Sequence, residues 1–294
     1  MGYLNRTYLG NPVLEFYWKD KAMNIVFYLF IFAMGSLFGS FLTLATYRIP
    51  LHKDITHERS YCPNCKHKLS FFDLIPILSY LFLGGKCRYC KKGIKIRYLF
   101  FEFFTGVCFV ITALSLKMDV YNITINKIIE FSIFSIYIVF LLLIAGIDLK
   151  NKRVEKSTLV FGIIILCINI IYQYISATLA GERYNLNRII LYLVFAIVLL
   201  IVNIETIKKT KRFCYSIDTL IIVLIISIFT YEITAILTIT GCLLIISFKL
   251  LINKFFTKKK NTIKKKQEKL PIVFYLVSSH FIILAISYSY SLIK

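Results

Sequence analysis

From Asn24 to Tyr290 the chain is a succession of long apolar runs separated by polar loops. A helix needs about 20 apolar residues to cross the hydrocarbon core of a bilayer. Runs of that kind cover Asn24–Tyr47, Tyr98–Leu116, Lys127–Asp148, Thr158–Leu179, Leu186–Ile204 and Pro271–Tyr290. Tyr215–Lys254 is long enough for two, with a break expected near Thr230–Glu232. The reading is an all-α polytopic membrane protein with about eight transmembrane helices, and a hydrophobic content of 58% agrees with it. Residues 1–22 are polar and mixed, without a charged start leading into an apolar core. The first span is therefore expected to act as an uncleaved signal anchor.

The formal charge of +21 invites a nucleic-acid reading, but its distribution argues for topology instead. One set of loops holds residues 48–97, then Lys150, Lys152, Arg153 and Lys156, then Lys208, Lys209, Lys211 and Arg212, and finally the lysine-rich stretch Lys254–Lys269. The alternate loops hold only scattered charges. That asymmetry, repeated at four successive loops, places the basic set in the cytoplasm and both termini outside. The expected partner is the lipid bilayer and not nucleic acid; Lys258–Lys260 and Lys264–Lys266 also suit a membrane surface. The N-terminal tail carries Tyr3, Tyr8, Phe16, Tyr17 and Trp18, aromatic residues suited to the interface.

The loop from Leu51 to Arg97 is the one sizeable soluble element, and it is too short to build its own core. It carries Cys62-Pro63-Asn64-Cys65 and Cys87-Arg88-Tyr89-Cys90, with 21 residues between the two knuckles. Four thiolates in that arrangement read as a tetrahedral structural zinc site. Disulfides, a redox motif and an iron–sulfur cluster compete with that reading. A cytosolic location argues against disulfides, and a redox Cys-x-x-Cys usually occurs singly beside a βαβ pattern. Four cysteines suffice without His67. Cys108, Cys167, Cys214 and Cys242 stand at no ligand spacing and read as apolar packing.

Two acids end up in one layer. Asp148 closes the third span, and Asp218 lies near the start of the sixth, both at the cytoplasmic boundary. A carboxylate at a membrane boundary is costly and asks for a function. The macrodipole disfavours an acid at a helix C-terminus, so capping does not explain Asp148; Lys150, Lys152 and Arg153 offset part of the cost. Asp218 has an ordinary explanation, because acids are common in the first turn of a helix. Together the two supply the minimum for aspartyl-protease chemistry. One is ionised and deprotonates a water; the other is protonated and polarises the scissile carbonyl. Glu102, just inside the second span, is the best candidate for a supporting acid. Glu130 and Glu232 fall toward the outer side, and Glu155 and Glu205 have basic neighbours.

The ordered series Gly39-Ser40-Phe41-Leu42, Tyr47-Arg48-Ile49-Pro50, Arg59-Ser60-Tyr61-Cys62-Pro63-Asn64-Cys65, Pro76-Ile77-Leu78-Ser79-Tyr80, Cys87-Arg88-Tyr89-Cys90 and Ile96-Arg97-Tyr98 with Glu102 resembles the type 4 prepilin peptidases. These are membrane aspartyl proteases that are often also N-methyltransferases. The chain departs from their pattern in several places. Val154-Glu155 stands where an Ile/Leu-Pro pair is usual. Tyr215-Ser216-Ile217-Asp218 replaces Gly-x-Gly-Asp, and the lysine that follows is missing. Thr43 stands where asparagine is usual.

The resemblance implies residues 1–23 as an N-terminal tail, 24–47 as the first transmembrane helix, 48–97 as the cytoplasmic four-cysteine zinc loop and 98–294 as a transmembrane peptidase core carrying Asp148 and Asp218. It implies a bacterial inner-membrane enzyme cleaving the basic leader of type IV prepilin-like precursors at the cytoplasmic face. Methylation of the new N-terminus by S-adenosylmethionine is implied by the resemblance alone, since the chain has no glycine-rich cofactor loop. The second reading is a catalytically impaired relative, a zinc-loop membrane protein that binds such precursors.

Overall fold

The computed structural model describes residues 12–181, 217–230, 232–257 and 271–293, together with positions 190, 194, 197 and 201. Their helices are α1 (Pro12–Arg48), α2 (Leu78–Phe82), α3 (Arg97–Ser115), α4 (Ile125–Asn151), α5 (Lys156–Leu179), α6 (Ile217–Phe229), α7 (Glu232–Thr257) and α8 (Ile272–Ile293), with 3-10 turns at Ile49–Leu51 and Phe71–Leu74. Among the described residues the extended pairing is limited to two isolated bridges, Tyr61 with Lys68 and Lys86 with Gly93. The all-α class is what the apolar runs require.

Helices α1, α3, α4 and α5 are long and apolar enough to cross a membrane, and Asp218–Phe229, Thr234–Phe248 and Ile272–Ser287 are shorter apolar helices. The expected break between the sixth and seventh spans lies where α6 ends, at Thr230, whose Oγ1 hydroxyl donates to the Ile226 carbonyl at 2.8 Å. The expected span Leu186–Ile204 lies outside the described residues, apart from Ile190, Val194, Ile197 and Ile201, which are helical and more than half exposed. Tyr215, Ser216, Cys214, Glu205, Lys258–Lys260 and Lys264–Lys266 also lie outside them.

Helix α1 is described from Pro12, so residues 12–23 are helical and continuous with the expected first span. No glycine or further proline interrupts the chain from there to Met34.

The chain divides into two compact units: residues 1–43 with 56–135, and residues 44–55 with 136–294. In the first, the backbones of α1 and α3 touch. A Cβ on Gly35 would stand 2.9 Å from the Gly106 Cα, and one on Gly39 would stand 2.6 Å from the Phe101 carbonyl oxygen. Two glycines four apart on a membrane helix permit this approach, and any side chain would close it off. Phe109 is buried alongside, and the Phe32 and Phe103 rings meet edge to face at 5.7 Å. The turn after α3 is tied back to α1: Tyr28 Oη donates to the Met118 carbonyl at 2.6 Å, and the Asn24 side chain accepts the Val120 N–H at 3.0 Å.

We predict that Gly39→Val lowers stability by at least the ~1–3 kcal/mol typical of an overpacked core. Gly93→Ala, with nothing within 4 Å of the added atom, should leave it unchanged. Thermal unfolding of the two variants in detergent checks this.

The second unit packs Phe140, Ile144 and Ile147 of α4 with Ile222, Ile225 and Ile226 of α6 and Val273 and Val277 of α8, all 2% exposed or less. Gly162 on α5 leaves room for the Phe140 ring, and the Tyr137 ring stacks on Phe229 with centroids 4.1 Å apart.

Candidate metal centre and membrane carboxylates

The two cysteine knuckles have the same local build. The Cys62 N–H donates to the His67 carbonyl at 3.0 Å, and the Lys66 N–H donates back to the Cys62 carbonyl at 2.9 Å. Twenty-five residues on, the Cys87 N–H donates to the Lys92 carbonyl at 2.9 Å and the Lys91 N–H to the Cys87 carbonyl at 3.0 Å. Lys66 and Lys91 close the turns at φ 61° and 59°, a region L-residues enter reluctantly. Each turn is flanked by one of the isolated bridges. Gly85 sits at φ 67°, and a Cβ there would stand 2.9 Å from the Tyr80 hydroxyl, so this position needs glycine on both counts.

The folded knuckles bring Cys62, Cys65, Cys87 and Cys90 together, with all four sulfurs within 4.8 Å of one another. Cys62 Sγ and Cys90 Sγ are 3.9 Å apart. That is far beyond a disulfide bond and close to the ~3.8 Å edge of a tetrahedron with metal–sulfur bonds of about 2.3 Å. The four residues therefore fit a metal ion held by thiolates. Lys92, through its backbone N–H, pulls the Cys90 thiol down to about 6, toward the thiolate form a metal needs. Asn64 Nδ2 also donates to Cys90 Sγ, at 3.5 Å. His67 instead lies against the Tyr89 ring, with centroids 3.6 Å apart. Cys108 and Cys242 are buried and Cys167 is exposed, and none of them joins the cluster.

Asp73 braces the segment between the knuckles. It accepts from the Ser70 N–H (3.1 Å), the Ser70 hydroxyl (2.8 Å) and Arg88 Nε (2.6 Å). Burial opposes its ionisation, but the Ser70 hydroxyl and Arg88 outweigh that and hold its carboxyl below the usual range. A depressed folded value means stability that is present above the ordinary carboxylate range and lost as pH falls through the lowered value. Asp73→Asn should cost about 1.5–3 kcal/mol locally. Faster amide exchange at the Asp73 N–H, measured near neutral pH, is the expected sign.

Glu102 is buried on α3, and its Oε2 accepts the Ile77 N–H at 2.7 Å, with the Ser40 hydroxyl beside the same carboxylate. Ile77 stands at φ 62°, an outlier for a β-branched residue. Strain of about 1–3 kcal/mol persists only where surroundings enforce it. Here the enforcing contact is Glu102, which ties Pro76–Tyr80 to the start of α3.

Asp148 is 4% exposed, one turn before the end of α4. Its Oδ2 accepts the Phe274 N–H at 3.0 Å, and the Val273 N–H also points to the carboxylate. These are first-turn amides of α8, which have no partner within their own helix. The carboxylate fills them from outside, and the positive end of the α8 dipole offsets the unfavourable position at the end of α4. Asp148 therefore has a structural partner that the sequence did not disclose. Asp218 lies in the first turn of α6, half-buried, and makes no hydrogen bond or ion pair among the described residues. The two aspartates belong to one unit but share no hydrogen bond.

Sequence reasoning passed over His280. It is fully buried on α8, with Tyr137 Oη 3.2 Å from Nε2 and Thr238 Oγ1 3.3 Å from Nδ1. Both ring nitrogens are thus partnered, by α4 on one side and α7 on the other. Its presence in the apolar run Pro271–Tyr290 was the available signal.

Comparison with known proteins addresses the first of these regions. Residues 33–116 match the bacterial peptidase A24 N-terminal domain. The prepilin leader peptidase/N-methyltransferase of Myxococcus xanthus is 42% identical over 84 residues, 29% of this chain and 25% of the relative. That of Vibrio cholerae is 42% identical over 84 residues, 26% of this chain and 33% of the relative. That of Bacillus subtilis is 44% identical over 79 residues, 27% of this chain and 32% of the relative. The match thus spans a quarter to a third of the length of these relatives. No solved structure matches. Over residues 33–116, the stretch that folds the Gly39 contact, both cysteine knuckles and the Glu102 tie, this chain is similar to the N-terminal domain of the bacterial A24 peptidases and to the proteins named prepilin leader peptidase/N-methyltransferase.

Proposed function

We propose that the chain is an aspartic endopeptidase of the bacterial inner membrane. It removes the basic leader of type IV prepilin-like precursors at the cytoplasmic membrane face. The observation that carries this reading is the kinship of residues 33–116 with proteins named prepilin leader peptidase/N-methyltransferase. The chemistry falls to residues 98–294 as the transmembrane peptidase core, with Asp148 and Asp218 as its catalytic pair. Amides from α8 hold the Asp148 carboxylate in one orientation, as a general acid or base requires. Half-buried Asp218 stands where water reaches it. One carboxylate takes the proton of the attacking water, and the other gives its proton to the scissile carbonyl.

The metal of the cysteine site is zinc in this reading, with Cys62, Cys65, Cys87 and Cys90 as ligands and a structural role. Glu102 supports the site indirectly, by fixing the loop that carries Pro76–Tyr80. S-adenosylmethionine would supply the methyl group if the second activity in the relatives' names is shared.

Incubating the purified protein in lipid with a prepilin-like precursor tests the proposal. Mass spectrometry should show loss of the leader, and one added methyl if both activities are present. The non-catalytic reading draws on the engagement of Asp148 with α8 and its lack of a shared hydrogen bond with Asp218. It expects the precursor to bind and stay intact.

A further inference from the structure

The cysteine loop exposes an unusual amount of apolar surface. Phe71, Phe72, Leu78, Leu81 and Phe82 are 78%, 70%, 50%, 61% and 84% exposed. They come from the Phe71–Leu74 turn and α2, which border a groove of about 450 Å³ lined in part by Phe72, Ile75, Leu78, Phe82 and Leu83. This exposed surface is not needed to close the metal site, whose ligands lie on the two knuckles.

Two further observations say what covers it. The loop is short, and it leaves and re-enters apolar helices that end at Arg48 and begin at Arg97. Both of its ends are therefore held at a bilayer surface, and Ile96 and Phe100 at the start of α3 are exposed as well. The charge of the segment is one-sided. Residues 56–97 hold nine lysines and arginines against two acids, Glu58 and Asp73, and Asp73 is bonded to Arg88. Such a surface complements anionic headgroups and repels a basic leader peptide.

We propose that the Phe71–Phe82 segment is seated in the interfacial layer of an anionic bilayer. The aromatic and leucine side chains enter the acyl boundary while Lys66, Lys68, Lys86 and their neighbours stand at headgroup level. Apolar residues on one side and lysines around them are the pattern of interfacial segments, and lysine stems can lie along the apolar surface while the ammonium stays in water. The seating fixes the height of the cysteine loop above the membrane. It holds whether or not the chain cleaves anything.

The test uses the full chain in lipid nanodiscs of phosphatidylcholine, with and without phosphatidylglycerol. Trp18, the single tryptophan, is changed to Phe. Tryptophan is then introduced by Phe82→Trp, by Phe72→Trp, or by Glu58→Trp outside the patch. Bound metal confirms that each variant is folded. With phosphatidylglycerol, the first two should be quenched about twofold or more by lipids brominated on their chains, and shielded from aqueous iodide. Glu58→Trp should show the reverse.

Iodide quenching of Phe82→Trp and Phe72→Trp without bromolipid quenching would overturn the proposal. Shielding from both quenchers would overturn it in favour of a second copy of this chain. Shielding that arises only when a pilin-like precursor is added would overturn it in favour of substrate. Equal bromolipid quenching without phosphatidylglycerol would overturn the role given to anionic headgroups.

Discussion

Stripping the metal with a chelator, or replacing Cys87 with serine, should unfold the segment from Tyr61 to Gly93 while leaving the second unit folded. The segment has no core of its own: among its apolar residues only Cys62 and Cys87 are buried, and its cross-strand pairing amounts to two isolated bridges. Structural zinc contributes about 10–16 kcal/mol of apparent binding free energy near neutral pH, which for such a segment is its folding free energy. The amides of Cys62, Lys66, Cys87 and Lys91 donate the knuckle hydrogen bonds, so hydrogen exchange at those four positions reads the effect directly. They should go from protected to fast on metal removal and recover when zinc is restored. Acid acts the same way, because protons compete with the metal for thiolates. Metal retention should therefore fall as the pH is lowered, read as metal released on acid titration.

Two substitutions of Asp148 should separate chemistry from packing. Asparagine keeps an oxygen to accept the Phe274 N–H but cannot exchange a proton in the required way. Cleavage should drop by about 10²–10⁴-fold, the usual loss for a general acid or base, with the thermal midpoint little changed. Leucine removes the acceptor and leaves first-turn amides of α8 buried and unpaired, at a cost of about 1–3 kcal/mol. It should lose activity and stability together. If Asp148 served only as a cap for α8, asparagine would leave precursor handling intact.

What was legible in the sequence follows the reach of each interaction. The cysteine knuckles close through hydrogen bonds spanning four or five residues, so their geometry is written in consecutive positions. The apolar runs are equally local, and the break at Thr230 stands where the run was too long for one helix. The resemblance was strongest over Gly39–Glu102, and several of its residues in the first unit meet one another. Gly39 lets α1 reach the Phe101 carbonyl, Ser40 stands beside Glu102, and Glu102 holds Ile77.

The partners of the buried polar groups were not legible. Asp148 meets an amide 126 residues away, and His280 meets Tyr137 across 143. Neither separation leaves a mark in local composition.

The central claim is that Asp148 and Asp218 act as a catalytic pair, and Asp218 tests it most sharply. Its position in the first turn of α6 has an ordinary structural explanation, and its preceding residues depart from the family's glycines. The decisive measurement is cleavage of a prepilin-like precursor by wild-type protein and by Asp218→Asn, both reconstituted in lipid at equal protein level. The account predicts leader removal by the wild type and none detectable by the variant. Full cleavage by Asp218→Asn, or an intact precursor with both proteins, would contradict it.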